Sequence, residues 1–113
     1  MPSEITQRPW GSFKIIGKWS GKITIKIVTI NPGGRLSLQK HQLRDEEWLC
    51  LGGIAEAEVG ERSFTLRVGD KASSLRGSLH RLSSELGAEI LEVAYGEFRE
   101  DDIVRVKDDY GRA

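Results

Sequence analysis

Apolar residues fall in short runs of every-other spacing, and glycine-rich turns separate the runs. Ile23 to Ile30 places Ile23, Ile25 and Ile27 on one phase, then Val28 and Ile30 on the other. Asn31-Pro32-Gly33-Gly34 ends this run with a strong turn signal. Arg35 to His41 reads as the next strand, with Leu36 and Leu38 opposite Gln39 and His41. A polar bend over Gln42 to Asp45 leads into a strand over Glu46 to Leu51, closed by Gly52-Gly53. Ile54 to Val59 alternates small or acidic residues with apolar ones, Gly60-Glu61 suits a hairpin turn, and Ser63 to Val68 forms a strand ended by Gly69-Asp70. A short strand is expected over Ser78 to Leu82 and a longer one over Glu89 to Tyr95. Asp101 to Tyr110 suits either a strand plus an acidic turn or a short helix, and residues 1–20 are expected to form an N-terminal arm or edge strand. Helical periodicity is weak throughout. The pattern predicts an all-β chain, a sandwich or barrel.

Composition mainly excludes functions. A length of 113 residues fits one domain, and a hydrophobic fraction of 38% suffices for one core. Lys+Arg and Asp+Glu both number 17, so the formal net charge is zero and no nucleic-acid partner is expected. An anionic small substrate stays compatible, because local arginines act without net positive charge. No apolar run approaches a membrane span, so no membrane partner is expected. Met1-Pro2-Ser3-Glu4 lacks the basic start and apolar stretch of a signal peptide, which makes a reducing cytoplasm the expected location. The single Cys50 lies in the apolar run Trp48-Leu49-Cys50-Leu51 and reads as a buried, inert thiol.

Two spaced clusters carry the candidate chemistry. The first is Gly33–x5–Gln39–x–His41–x4–Glu46–x6–Gly53, and the second is Gly69–x5–Leu75–x–Gly77–x2–His80–x3–Ser84. The chain has only two histidines, and both fall on this pattern. Residues two apart on a strand project to the same face, so Gln39 and His41 project together. Glu46 opens the following strand and can face back, and His80 arrives from a separate strand. Such a set, with nitrogen and oxygen donors and no sulfur, suits one divalent metal ion: zinc, manganese, iron, cobalt or nickel.

These clusters resemble the two motifs of the cupin superfamily, with Gln39 at a position where many members carry histidine, Leu75 in place of proline and Ser84 in place of asparagine. The resemblance narrows with Arg8-Pro9-Trp10-Gly11-Ser12-Phe13, Pro32 to Gln39, Arg44-x-Glu46-x-Trp48, Gly96-Glu97-Phe98, Glu100 to Arg105 and Asp109-Tyr110-Gly111-Arg112. These segments are similar to type II phosphomannose (mannose-6-phosphate) isomerases, whose cupin often forms the C-terminal part of a bifunctional chain with a mannose-1-phosphate guanylyltransferase. The resemblance implies a single cupin jelly-roll barrel with a metal in its mouth, held by Gln39, His41, Glu46 and His80; Gln at the first position is itself a family trait. The family departs from this chain at Gln42 and Leu43, where histidines are usual, at Glu47, a histidine, and at Ala94, commonly a glutamine.

What the resemblance implies is a metal-dependent sugar-phosphate isomerase that interconverts mannose 6-phosphate and fructose 6-phosphate through an enediol. The alternatives are a non-catalytic sugar- or metal-binding cupin and a redox cupin such as an iron dioxygenase. Phosphate calls for arginine's fork of donors, so Arg35 and then Arg44 are the expected anchors, with Lys26 a further match. Glu92, in the apolar run Ile90-Leu91-Glu92-Val93, is the expected base. Glu47 faces the other way by strict alternation, and Trp48 shares the Glu46 face. Trp10 and Trp19 are expected to pack. A homodimer is expected, because small barrels leave strand edges open, and the segment Arg8 to Phe13 is the expected contact.

Overall fold

The computed structural model describes residues 4–97, 99 and 101–112. Residues 1–3 of the expected arm, and Phe98 and Glu100 of the family-like segments, lie outside the described residues. The regular elements are all strands: β1 (Ile5–Arg8), β2 (Gly11–Trp19), β3 (Ile23–Ile30), β4 (Gly34–Arg35), β5 (Leu38–Lys40), β6 (Arg44–Gly53), β7 (Ala55–Val59), β8 (Arg62–Leu66), β9 (Lys71–Ser74), β10 (His80–Ser84), β11 (Ala88–Gly96) and β12 (Val104–Lys107). One sheet runs β1-β2-β3-β11-β6-β9, and the other runs β12-β5-β10-β7-β8 with β4 paired to β10. All pairings are antiparallel. The two sheets close over a shared core as the jelly-roll barrel that the resemblance implies. Among the described residues no helix is long and apolar enough to cross a membrane.

The inner face of the first sheet is built in rows across strands. Phe13, Val28, Ile90 and Cys50 stand side by side on β2, β3, β11 and β6, and all four are buried. One row further, Lys26, Glu92 and Trp48 are aligned, and the next row holds Thr24, Ala94, Glu46 and Ser74. The core is therefore apolar at one end and polar at the other. From the second sheet Ala55, Ala57, Leu66 and Leu82 complete it. Cys50 is buried, as expected, and burial pushes its thiol up.

The register settles the two phases of β3. Val28 and Ile30 face inward, so Thr24 and Lys26 do too, and Ile23, Ile25 and Ile27 lie half-buried on the outer face. There Ile25 stands opposite Val93, and Ile27 opposite Leu91, so cross-strand pairs shield them. The run expected over Arg35 to His41 breaks into β4 and β5, and the bend before β6 shrinks to Gln42 and Leu43. The expected arm resolves into the edge strand β1 and the inner strand β2. Strand β9 has too polar a sequence, Lys-Ala-Ser-Ser, to read as a strand in isolation. Over 101–110 the strand alternative holds, as β12. Trp10 packs in the core, but Trp19 is half-exposed at the end of β2.

Two glycines that lead and close the first cluster have different needs. Both adopt left-handed backbone, Gly33 at φ 79° and Gly53 at φ 69°. A Cβ at Gly33 meets open space, whereas one at Gly53 overlaps the carbonyl oxygen of Gly87. Gly33→Ala is expected to cost about 1–2 kcal/mol for the left-handed conformation alone. Gly53→Ala adds steric overlap and is expected to cost about 3 kcal/mol or more. Urea unfolding of the two variants checks the order; equal losses would contradict it.

Candidate metal centre

Strand pairing brings the four expected ligands to one end of the barrel. Gln39 on β5 is the direct partner of His80 on β10, so the two side chains share the inner face of the second sheet. Glu46 faces them from the first sheet, and His41 follows β5 at the bend. All four are buried. The donor atoms of His41, Glu46 and His80 lie within 4.8 Å of one another. Glu46 Oε1 is 3.2 Å from His80 Nε2, and Oε2 is 3.6 Å from His41 Nε2.

The outer nitrogens of both rings are fixed by groups that orient them. The Asp102 carbonyl accepts from His41 Nδ1 at 2.6 Å, and a carbonyl only accepts. His80 Nδ1 lies 3.3 Å from the Ser78 carbonyl and 3.1 Å from Ser74 Oγ. With the protons on Nδ1, both Nε2 lone pairs point at the Glu46 carboxylate. Three acceptors converging in a dry site repel one another unless a cation lies between them, which is the condition a metal meets. The two carboxylate–imidazole separations, 3.2 and 3.6 Å, lie close to the roughly 3–3.5 Å between ligands that each sit about 2.0–2.2 Å from one ion. The residues present therefore fit a divalent metal.

Without a metal, neighbouring charges do the same work. Burial alone pushes the Glu46 carboxyl up. The hydrogen bond and charge of His80, with the charges of His41 and Arg44, outweigh burial and hold it well below the usual carboxylate range. Burial lowers His41, and the charges of Arg44 and His80 add to this against the pull of Glu46. Arg44 Nε donates to Glu46 Oε2 at 2.9 Å, and its Nη2 lies 3.3 Å from His41 Nε2. His41 would hold a metal through the Nε2 lone pair that Arg44 Nη2 faces.

A family model described as "Mannose-6-phosphate isomerase C-terminal" matches residues 3–108. The chain belongs to the mannose-6-phosphate isomerase C-terminal family. It is 38% identical over 108 residues to "Alginate biosynthesis protein AlgA" of Pseudomonas aeruginosa, covering 93% of this chain and 22% of that protein. To "Xanthan biosynthesis protein XanB" of Xanthomonas campestris it is 39% identical, covering 93% and 23%. To a "Mannose-1-phosphate guanylyltransferase" of Klebsiella pneumoniae it is 33% identical, again covering 93% and 23%. The chain thus spans under a quarter of the length of these relatives. Among solved structures, KdgF from Halomonas superposes with a TM-score of 0.76 at 17% identity, covering 87% of this chain and 89% of that one. CapF from Staphylococcus aureus gives 0.79 at 13%, covering 96% and 33%. Both show the cupin fold.

The remaining expected residues of this family domain divide between the cavity of the candidate metal centre and the outside. Lys26, Arg44, Trp48 and Glu92 line the cavity with the four ligands. Arg35 does not: half-exposed, it pairs with Asp109 at 3.5 Å, and its backbone N–H donates to the Tyr110 hydroxyl. Glu47 faces outward and accepts from the Tyr95 hydroxyl at 2.8 Å. Gln42 and Leu43 are exposed, their N–H groups held by the Asp102 carboxylate at 3.0 Å each. Of the four departures from the family pattern, Ala94 alone lies inside, beside Glu46. The cavity also gathers Arg8, Ser37, Arg105 and Arg112, which received no site role from sequence. The signal was inverted on β12, where Val104 and Val106 face solvent and Arg105 faces in.

Elemental analysis of the purified chain is expected to find one divalent metal per chain, lost in His80→Ala. Because a metal binds the folded site, loading at about a thousandfold excess over Kd is expected to add about 4 kcal/mol of stability. Melting temperatures with and without a chelator check this; an unchanged value would contradict the site.

Proposed function

We propose that this chain is a metal-dependent aldose–ketose isomerase that interconverts mannose 6-phosphate and fructose 6-phosphate through an enediol. The observation that carries the reading is one cavity, in a chain of this family, that joins the His41–Glu46–His80 donor set to the buried carboxylate of Glu92. The guanylyltransferase activity named for a longer relative is not proposed for this stretch.

A divalent metal at the site supplies Lewis acidity to a substrate oxygen on which negative charge develops. The chain's own residues supply the proton transfer and the surroundings. Glu92 moves the carbon-bound proton, taking it from C2 of the aldose and returning it to C1, while a hydroxyl proton passes from the oxygen on C2 to that on C1. Burial pushes the Glu92 carboxyl up and the charge of Glu46 adds to this, against Lys26, Arg44 and the Trp48 hydrogen bond. Lys26 Nζ stands 3.2 Å from Oε2, and Trp48 Nε1–H donates to Oε1 at 3.2 Å. A raised pKa makes Glu92 a stronger base than an ordinary glutamate, and Lys26 keeps its ionised form accessible.

Metal-dependent turnover of mannose 6-phosphate, lost on chelation and in His80→Ala, tests the reading. Glu92→Gln is expected to lower kcat by about 100-fold or more with metal content unchanged. Glu92 acts ionised, so kcat falls as pH drops through its raised pKa. The acid limb is therefore expected above the roughly pH 4.3 of an ordinary glutamate. An acid limb at or below that value would remove Glu92 from the role.

A second reading, a sugar- or metal-binding cupin without turnover, is favoured by Ala94, which puts no polar side chain on the β11 side of Glu46, where the family commonly has glutamine. Binding without turnover would select it. The proposal includes a homodimer along the open edge of β1, and light scattering that gives a monomer at micromolar concentration would exclude that part.

A further inference from the structure

Three cationic side chains of the cavity stand apart from its metal-binding end. Among the described residues, the cationic side chains that line it are Arg8, Lys26, Arg44, Arg105 and Arg112, and the carboxylates are Glu46 and Glu92. Arg44 binds Glu46, and Lys26 faces Glu92. The other three come from three different places: the edge strand β1, strand β12 and the segment after it. All three are half-buried, while His41, Glu46 and His80 are almost fully enclosed, so they stand on the open side of the same cavity. Arg112 is held in place by Asp108 through two side-chain hydrogen bonds of 3.0 Å.

A second observation points to a ligand there. Ser37 is fully buried and lines this cavity, yet its hydroxyl has no hydrogen-bond partner among the described residues. A buried hydroxyl left so is costly, and a bound acceptor relieves the cost. Register gives the spacing. Arg105 is the direct partner of Gln39, which is the direct partner of His80, so the three lie in one row across β12, β5 and β10. Two strand spacings separate Arg105 from His80, about 10 Å between backbones. An open six-carbon chain with a terminal phosphate has that reach.

We propose that Arg8, Arg105 and Arg112, with the Ser37 hydroxyl, form the subsite for the phosphate monoester of a sugar phosphate. Guanidinium forks match phosphate oxygens in pairs, and the serine hydroxyl donates one further hydrogen bond. The ester's identity as a hexose phosphate rests on the isomerase reading; the anion subsite does not.

The test is calorimetric titration of the chelated and the metal-loaded chain with inorganic phosphate, mannose 6-phosphate and mannose. Arg8→Gln and Arg105→Gln are expected to weaken both phosphates tenfold or more, and Ser37→Ala by a smaller factor. Arg67→Gln, at an exposed position outside the cavity, leaves them unchanged. Binding of inorganic phosphate persists after chelation, and mannose binds far more weakly than its phosphate. Phosphate affinity that is equal in wild type and both arginine variants, that is absent from wild type, or that vanishes with the metal overturns the subsite. Melting temperature checks each variant, and if Arg105→Gln fails to fold, Arg8→Gln on the edge strand decides. Arginine-dependent binding without turnover removes the isomerase reading and leaves the subsite. Turnover with an unchanged KM in both variants does the reverse.

Discussion

A carboxylate kept ionised away from bulk water has to be surrounded by positive or positively polarised groups, and Glu46 imposes that condition on one end of this barrel. The groups that answer it come from separate stretches of chain: Arg44 from its own strand, His41 from the bend after β5, and His80 from β10. Each is fixed in turn from behind. Ser74, next to Glu46 in its row, reaches His80 Nδ1, the Asp102 carbonyl holds His41, and the Arg99 carbonyl accepts from Arg44. One charge thus ties both sheets and the segment after β11 into a single arrangement.

The sheet geometry sorts chemistry by row. Moving two residues along β11 changes the environment from the wholly apolar row of Ile90 to the ionic row of Glu92, and then to the row of Ala94 that borders Glu46. The apolar rows hold the sheets together, and the polar rows inherit a dry, preorganised setting from them. This is why the same strand can serve both the core and the site, and why a Lys–Glu pair survives inside so small a domain.

Much of this was legible in the sequence, where a local signal reported a local fact. The glycine turns and every-other spacing marked most strands, and the histidine spacings marked the donor set that β5, β6 and β10 assemble. The phase of β3 was not decidable locally, because isoleucines occupy one face and Val28 and Ile30 the other; only pairing with β11 makes the choice. Arg35 looked like an anchor because of its neighbours in sequence, but its strand turns it toward Asp109. Arg8, Arg105 and Arg112 enter the cavity from distant positions, and on β12 the usual order of apolar inside and charged outside is reversed. Such placement depends on what lies across the barrel, which single-strand patterning does not encode.

The segment from Asp102 to Arg112 is the last part of the cavity wall to be synthesised. Once residue 97 has been added, the residues of every strand except β12 have been synthesised, and so have the candidate metal donors, but His41 still lacks the carbonyl that turns it and Gln39 its partner on β12. A chain stopped there would carry the candidate donors without the segment that completes the cavity wall. Synthesis paused within residues 102–112 would therefore leave the sequence of the other strands complete while withholding Arg105 and Arg112 from the cavity.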